Sequence, residues 1–349
     1  MSYYRKLFHK RFTVGLFLTA VGTALLLSSI LMKWELLGEG QYARLRKVRI
    51  EHVERESCTY ILEQSFLLRN PSSKTVVDLV YVWIPVNESR QFTRLLNSTL
   101  RPLFMKSDDE VAILVYNVSL TEGGTMWLNV TLQVTVEGYR FLMENIPWLN
   151  RSQVEENTGG KGYWAVENQT YISVAKSIGL NARDPVEACR IVGEWIRKRL
   201  QYYEGPRKGA NHALIEMGGE LFVRGDCEEA ADVFVTLTRI LGIRSRVVHG
   251  LRLLGYREGS VTMWIKRTER GYEYSENWGG HAWSQIYLPQ AGWVDFELGA
   301  YEVRIGDLTP YYVRYGFEEK SYLASYVSYC LTRHMETDLL YFTFRWVQP

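Results

Sequence analysis

The chain has 349 residues, of which 46% are hydrophobic, 13% aromatic and 23% charged. This composition is typical of a folded protein and excludes an intrinsically disordered one. The net charge is +2, but residues 1–11 carry four basic side chains and no acidic one. Without these four, 37 of the 41 basic residues remain against 39 acidic residues, which gives the rest of the chain a net charge of −2. Because no excess of basic residues remains outside residues 1–11, we expect no nucleic-acid partner.

Residues 12–32 form an uncharged, mostly apolar segment that is long enough to span a bilayer as a helix. The four basic residues before it, against Lys33 alone directly after it, predict that the N-terminus stays inside. A cleaved signal peptide is the alternative, but its apolar core would be shorter and would end at a small-residue cleavage site. The sequence therefore predicts a cytoplasmic tail at residues 1–11, a signal anchor at residues 12–32 and a single-pass membrane protein whose remaining residues lie outside.

Six Asn-x-Ser/Thr triplets without proline support this outside location, because the triplet is the acceptor for N-glycosylation in secreted proteins. The candidate glycosylation sites are Asn87, Asn97, Asn117, Asn129, Asn150 and Asn168. All six lie before residue 170, so none falls in the motif region described below.

The chain is strand-like from residue 48 to about residue 139, where β-branched and aromatic residues recur in five runs. Turn residues separate the runs at residues 70–73 and 122–124. Five strands without an intervening helix predict an antiparallel β-sandwich over residues 33–150. A loop-rich junction follows, and a proline near a first helical turn then predicts a helix from about residue 184.

A second helix is predicted to begin at Cys227. Apolar residues recur at three- and four-residue steps after it, Asp226 is a suitable N-cap and Gly242 a suitable stop. A helix N-terminus offers unpaired N–H groups and a partial positive charge, and both favour the thiolate, which is the reactive form of cysteine. Cys227 is therefore a candidate nucleophile. The alternative is that it serves as a small buried hydrophobe.

Two runs in which apolar and polar residues alternate, joined by a short turn, predict a β-hairpin over residues 281–298. The first run begins with His281 directly after two glycines, which permit close approach of another backbone or a substrate. The second run carries Asp295 and Glu297, which share one face because alternate strand residues point to the same side. A thiol at a helix start, a histidine on one strand and a carboxylate on the next are the components of a cysteine nucleophile site.

These motifs, in this order, resemble the transglutaminase-like superfamily of papain-like cysteine enzymes, and the chain is similar to a membrane-anchored prokaryotic-type member. The resemblance spans roughly residues 160–300 and is carried by Gly225-Asp226-Cys227, Gly280-His281-Ala282-Trp283 and Gly292-Trp293-Val294-Asp295-Phe296-Glu297. It implies that Cys227 is the nucleophile and His281 the base. The family acid is normally an aspartate four positions after the tryptophan of the last motif, and Glu297 stands there in this chain. Asp295 is the alternative acid if a bulge shifts the register.

The expected fold class is α+β, with an N-terminal transmembrane helix, an antiparallel β-sandwich, a transglutaminase-like domain over residues 151–300 and a strand-rich extension over residues 301–349. The resemblance implies an extracytoplasmic thiol enzyme that forms an acyl-enzyme from a peptide or glutamine-type amide. Water would resolve this intermediate in a cysteine protease or amidase, and an amine would resolve it in a protein transglutaminase.

A catalytically silent domain that binds cell-envelope components is the alternative function. The expected partners are the membrane, through one span, and a protein or peptide substrate. No cofactor and no metal are expected, because the sequence has no calcium-loop pattern and no CxxC pair.

Overall fold

Long β-strands dominate the computed structural model, which describes residues 49–108, 110–144, 146–148, 162–179, 181–253, 261–275, 279–299, 301–320 and 330–347. The strands are β1 (Arg49–Arg69), β2 (Val76–Ile84), β3 (Gln91–Ser98), β4 (Phe104–Ser107), β5 (Ala112–Leu120), β6 (Thr125–Glu144), β7 (Leu200–Tyr202), β8 (Leu214–Met217), β9 (Glu220–Gly225), β10 (Ser245–Arg252), β11 (Val261–Thr268), β12 (Gly271–Tyr274), β13 (Gly280–Leu288), β14 (Gly292–Leu298), β15 (Val303–Ile305), β16 (Asp307–Leu308), β17 (Tyr312–Glu318), β18 (Cys330–Leu331) and β19 (Glu336–Val347). The helices are α1 (Gln169–Gly179), α2 (Pro185–Arg199), α3 (Ala210–Ala213) and α4 (Cys227–Ile240).

The described strands form four sheets. The largest has the order β12-β11-β19-β1-β6-β16, with β3 added through its pairing with β6. A four-stranded sheet has the order β18-β2-β5-β4, and a five-stranded sheet has the order β15-β14-β13-β10-β17. A small sheet, β7-β9-β8, completes the set. The five-stranded sheet is antiparallel in each of its pairs, so hairpin-type connections place β13 and β14 side by side.

One buried core joins the seven-stranded and four-stranded sheets to the five-stranded sheet. Along β2 the buried side chains alternate with more exposed ones, and Val80 and Val82 enter this core together with Leu132 of β6. This alternation is expected for a sheet that packs through one face. Val248 of β10 and Phe317 of β17 belong to the same core. Since burying each such side chain contributes about 1.5–3 kcal/mol, the sheets stabilise one another.

Helix α4 packs on the five-stranded sheet, where Ala231 and Val235 contact Val247 of β10 and Ala282 of β13. The helix ends before Gly242, whose φ of 81° lies in the left-handed region that glycine adopts without steric cost. The predicted helix, with its start at Cys227 and its stop at Gly242, is confirmed. It places Cys227 against the cluster that contains Ala282 of β13, the strand that also carries His281.

The C-terminal extension contributes strands to both the five-stranded sheet and the seven-stranded sheet. Strand β17 pairs with β10, and β19 pairs with β1 in the largest sheet. The extension therefore completes the sheet on which α4 packs. The domain boundaries predicted at residues 150 and 300 stay predictions.

The predicted α+β fold class is wrong. Strands account for 55% of the structure and helices for 17%, so the protein is mostly β. The physical reason is that β1 and β6 are continuous strands of 21 and 20 residues and that the C-terminal extension adds further strands to the sheets.

The predicted transmembrane helix and single-pass membrane localisation also require correction. Among the described residues, no helix combines the length and apolar character needed to cross a membrane. Residues 12–32, on which the prediction depended, lie outside the described ranges. The structure therefore provides no support for either prediction.

Candidate active site

Cys227 is the first residue of α4, and a capping box fixes the backbone around it. The Asp226 carboxylate accepts a hydrogen bond from the Glu228 N–H at 2.9 Å, and the Glu229 carboxylate accepts one from the Asp226 N–H at 3.2 Å. These bonds satisfy N–H groups that have no partner within the helix. Cys227 is thus held at the positive end of the helix, where a negative charge is stabilised.

The other three cysteines occupy different environments. Cys58, Cys189 and Cys330 are buried, whereas Cys227 is partly exposed, and all four are free thiols. Burial raises the pKa of Cys58, that of Cys189 and that of Cys330, the last to about 12. A buried thiol with a raised pKa is a poor nucleophile, so Cys227 is the thiol whose surroundings suit reaction.

Cys227 should be alkylated at least about 10-fold faster than each of the other three cysteines, because it is partly exposed whereas burial of the other three raises their pKa. The measurement is mass spectrometry of the cysteine-containing peptides after timed exposure of the folded protein to iodoacetamide. His281→Asn is the matched control, because it removes the thiol's partner and should reduce the difference. Equal labelling of Cys227 and Cys189 in the wild type would contradict the assignment.

His281 is the second residue of β13 and lies directly beside the thiol. Its Nε2 atom is 3.1 Å from both carboxylate oxygens of Glu297, and its side chain also hydrogen-bonds Cys227. Because Nε2 faces the carboxylate, Nδ1 is the ring nitrogen left for the thiol. Gly279 allows this strand to approach β10 closely, since a Cβ atom there would lie 2.2 Å from the Arg252 carbonyl oxygen.

The surroundings of His281 favour its protonated form. Burial acts to lower the pKa of the imidazole, but the charge of Glu297 and the hydrogen bonds to Cys227 and Glu297 outweigh it and raise the pKa to about 10. An imidazolium in this position places a positive charge beside the Cys227 sulfur. Cys227, His281 and Glu297 therefore form a continuous hydrogen-bonded chain that runs from the helix to β14.

The two candidate acids have different partners although both lie in β14. Glu297 is buried and faces His281, whereas Asp295 lies opposite Gln285 in the neighbouring strand. The Asp295 carboxylate accepts hydrogen bonds from Gln285 and Trp283 and pairs with Arg314 at 2.7 Å. Burial acts to raise the pKa of Asp295, but the charges of Arg314 and Arg90 outweigh it and lower the pKa to about 2. The structure brings Glu297, and not Asp295, within hydrogen-bonding distance of His281.

The thiol and the imidazole lie between two cavities. The larger cavity, about 560 Å³, extends past Glu228 and His249 to Tyr272 and Tyr274 of β12. The smaller cavity, about 320 Å³, extends past Tyr202 to Arg252 and is lined by apolar residues of α2 and α4. Both cavities include Cys227 and His281 in their walls. An extended chain can therefore pass over the thiol with side chains on either side.

Several residues around the site were not predicted. Arg207 pairs with Asp232 of α4 at 2.6 Å and with Glu318 of β17 at 2.7 Å, which fixes the loop before α3 against the helix and the sheet. Tyr312 of β17 packs its ring against that of His281, with centroids 5.9 Å apart. These residues lie in segments without a local motif. The only signal for Tyr312 was the aromatic, strand-like character of the C-terminal extension.

The candidate glycosylation sites lie away from this site in the sequence. Asn87, Asn97, Asn117 and Asn129 are exposed, Asn168 is half-buried, and Asn150 lies outside the described ranges. Glycosylation at these positions stays a prediction. Over the part of the chain that the structure describes, no cluster of three or more His, Cys, Asp and Glu side chains has the arrangement of a metal site.

Comparisons with known proteins found a matching family model and solved structures that are similar to this chain. Residues 159–298 match the family model of the transglutaminase-like superfamily. No curated protein sequence matches the chain. The crystal structure of a candidate cysteine protease from Cytophaga hutchinsonii is 10% identical, with a TM-score of 0.50, and the match covers 85% of this chain and 100% of that chain. The periplasmic domain of TgpA from Pseudomonas aeruginosa, bound to ethylmercury, is 13% identical with a TM-score of 0.31, and the match covers 66% of this chain and 88% of that chain.

Proposed function

Residues 159–298 form a transglutaminase-like domain, and we propose that this domain is a thiol hydrolase that cleaves peptide bonds through an acyl-enzyme on Cys227. In this proposal His281 is the acid–base residue and Glu297 orients its imidazole. The observation that carries the proposal is the hydrogen-bonded chain from Cys227 through His281 to Glu297, with an open cavity on each side of the thiol.

Acylation begins with the Cys227 thiolate and the His281 imidazolium. The thiolate attacks the carbonyl carbon of the scissile amide, and the negative charge moves to the carbonyl oxygen. The N–H of Cys227 is available to that oxygen, because the first N–H of a helix has no intrahelical acceptor. His281 then gives its proton to the amide nitrogen, the C–N bond breaks and a free amine leaves. A thioester on Cys227 remains.

Deacylation uses the now neutral imidazole as a base. His281 takes a proton from a water molecule, whose oxygen attacks the thioester carbon, and the C–S bond breaks to release a carboxylic acid, which loses its remaining proton to solvent. The proton stays on His281, which restores the ion pair with the thiolate. Throughout both steps Glu297 holds the ring so that one nitrogen faces the thiol and the incoming groups. An amine in place of water would give transamidation by the same sequence.

The presence of glutamate in place of the usual aspartate does not weaken this proposal. The longer Glu297 side chain reaches the imidazole with both oxygens at 3.1 Å, which is hydrogen-bonding distance. A catalytically silent binding domain would not require a carboxylate buried against a histidine beside a partly exposed thiol, since burying such groups has a free-energy cost. The geometry therefore favours an enzyme over a binding module.

The test compares a mixture of peptides, prepared from a whole proteome, after incubation with the wild-type chain and with Cys227→Ala. New peptide N-termini should appear only with the wild type, and their sequences give the cleavage preference. A fluorescent primary amine added in parallel distinguishes the two outcomes for the acyl-enzyme. Incorporation of the amine at glutamine side chains without new N-termini would replace peptide cleavage with transamidation of a side-chain amide, and no product of either kind would overturn the proposed function.

A further inference from the structure

The imidazole of His281 lies on the indole of Trp283, two residues further along β13. The ring centroids are 5.8 Å apart and the ring planes differ by 20°, so the rings are stacked. Trp283 is buried, with 2% of its surface exposed, and its Nε1–H donates a hydrogen bond to Oδ1 of Asp295 at 2.8 Å. The orientation of the indole, and with it the surface under His281, is therefore determined by Asp295.

Asp295 is itself held from two directions. Its Oδ1 atom accepts a second hydrogen bond from Gln285 at 2.9 Å, and its Oδ2 atom accepts hydrogen bonds from Arg314 and from the Tyr139 hydroxyl, each at 2.7 Å. The Tyr139 oxygen also accepts a hydrogen bond from the Asp295 N–H at 2.9 Å. With two donors on each oxygen and its own N–H engaged, the carboxylate has one available orientation.

Tyr139 lies in β6, far from the active-site motifs in sequence. It is buried, and the Arg90 guanidinium covers its ring at 4.0 Å from the centroid. The phenol is therefore held in the buried core that the sheets share, where it bonds Asp295. This places one end of a rigid chain of contacts in the seven-stranded sheet and the other end under the proposed base.

We propose that Asp295 and Tyr139 are positioning residues, which hold the Trp283 indole as the platform for the His281 imidazole. This inference deepens the proposed function and rests on it for the role of His281. Neither residue touches the thiol or the substrate, and both act through Trp283. The seven-stranded sheet then contributes to the position of the proposed base, since its strand β6 supplies Tyr139.

The platform has an electrostatic effect that can be measured. An imidazolium over the face of an indole is stabilised by the ring quadrupole, and tryptophan gives the strongest such interaction. The titratable groups that contact His281 include Cys227, Glu297 and Tyr312, and the charged Arg252 lines the same cavity. Removing the platform destabilises the protonated form of His281, so its titration midpoint should fall. A role confined to folding would leave that midpoint in place.

The test uses the full chain with Tyr139→Phe, which removes only the hydroxyl. The matched control is Tyr116→Phe, because Tyr116 is also buried and its hydroxyl pairs with Ser98 of β3 at 3.1 Å. Histidine NMR follows the titration of His281, whose signal His281→Asn identifies. The midpoint should fall by about half a pH unit or more in Tyr139→Phe and stay unchanged in Tyr116→Phe.

The second measurement is the rate of Cys227 alkylation by iodoacetamide across pH. We expect the rate at neutral pH to fall about 3-fold or more in Tyr139→Phe, because the ion pair with His281 is weakened. Trp283→Phe, which keeps a ring but lacks the N–H donor, should shift the His281 midpoint in the same direction and provides a second test if Tyr139→Phe folds poorly.

The outcomes separate this inference from the proposed function. A wild-type midpoint in both Tyr139→Phe and Trp283→Phe, with a lowered melting temperature alone, would overturn the positioning role. If the wild-type chain cleaves no peptide, the proposed function fails, whereas the titration of His281 still decides whether the platform acts on its protonation.

Discussion

The Cys227→Ala variant should fold like the wild type and lose peptide cleavage by a factor of about 10⁴ or more. The reason is that the acyl-enzyme cannot form without the sulfur atom, whereas the side chain itself makes only a small contribution to packing. The measurement is turnover of a peptide that the wild type cleaves, with circular dichroism and thermal unfolding to establish that the variant is folded.

Cys189→Ala is the matched control for this substitution. Cys189 is fully buried in α2 and burial raises its pKa, so its loss should change stability slightly and leave turnover within about 3-fold of the wild type. If the Cys227→Ala variant retains turnover, Cys227 is not the nucleophile. Equal losses in the two variants would indicate a general effect of cysteine removal on the fold.

The Glu297→Gln variant should lose at least about 10-fold more turnover than Asp295→Asn, a difference of about 1.4 kcal/mol in the activation barrier. Glutamine keeps the size of the side chain but removes the charge that holds His281 in its protonated, correctly oriented state. The corresponding loss in a serine triad is about 10⁴-fold, and a cysteine site can lose less because a thiol ionises more readily. The measurement is kcat of each variant on one cleaved peptide.

The pH profile gives an independent check on the role of Glu297. The pKa of His281 is raised to about 10, with Glu297 as the largest favourable contribution, so the imidazolium and its stabilising ion pair are lost as the pH rises through that value. In Glu297→Gln the alkaline limb of the activity profile should therefore move to lower pH. If Asp295→Asn instead gives the larger loss and the larger movement, Asp295 is the acid. Negligible losses in both variants would favour the silent binding domain.

The local parts of the site could be predicted from the sequence because local patterns encode them. The N-cap Asp226, the helix from Cys227 and the stop at Gly242 depend on neighbouring residues within one segment. The spacing of Trp293 and Glu297 likewise follows from the alternation of a single strand. These are short-range relations, and a single sequence contains them.

The support around the site could not be predicted, because its contacts join distant segments. Asp295 and Tyr139 are 156 residues apart, and no local pattern in β6 indicates that its tyrosine meets β14. The sequence offered Asp295 as an alternative acid, since alternation places it on the same face as Glu297. Only the tertiary arrangement of Arg314, Trp283 and Tyr139 gives it a different set of partners. The mostly β fold class was missed for the same reason, because strand pairings of the C-terminal extension are long-range.

The pairing of β17 with β10 also bears on how this protein can be divided. Strand β17 lies beyond residue 298, where the family match ends, yet it covers one side of a strand whose residues are almost all buried. A fragment limited to residues 159–298 would therefore expose β10 as a hydrophobic edge strand with unpaired backbone groups. Such an edge is a template for intermolecular β-pairing, so the fragment should aggregate. The portion that the family model matches is thus shorter than the portion that completes the five-stranded sheet.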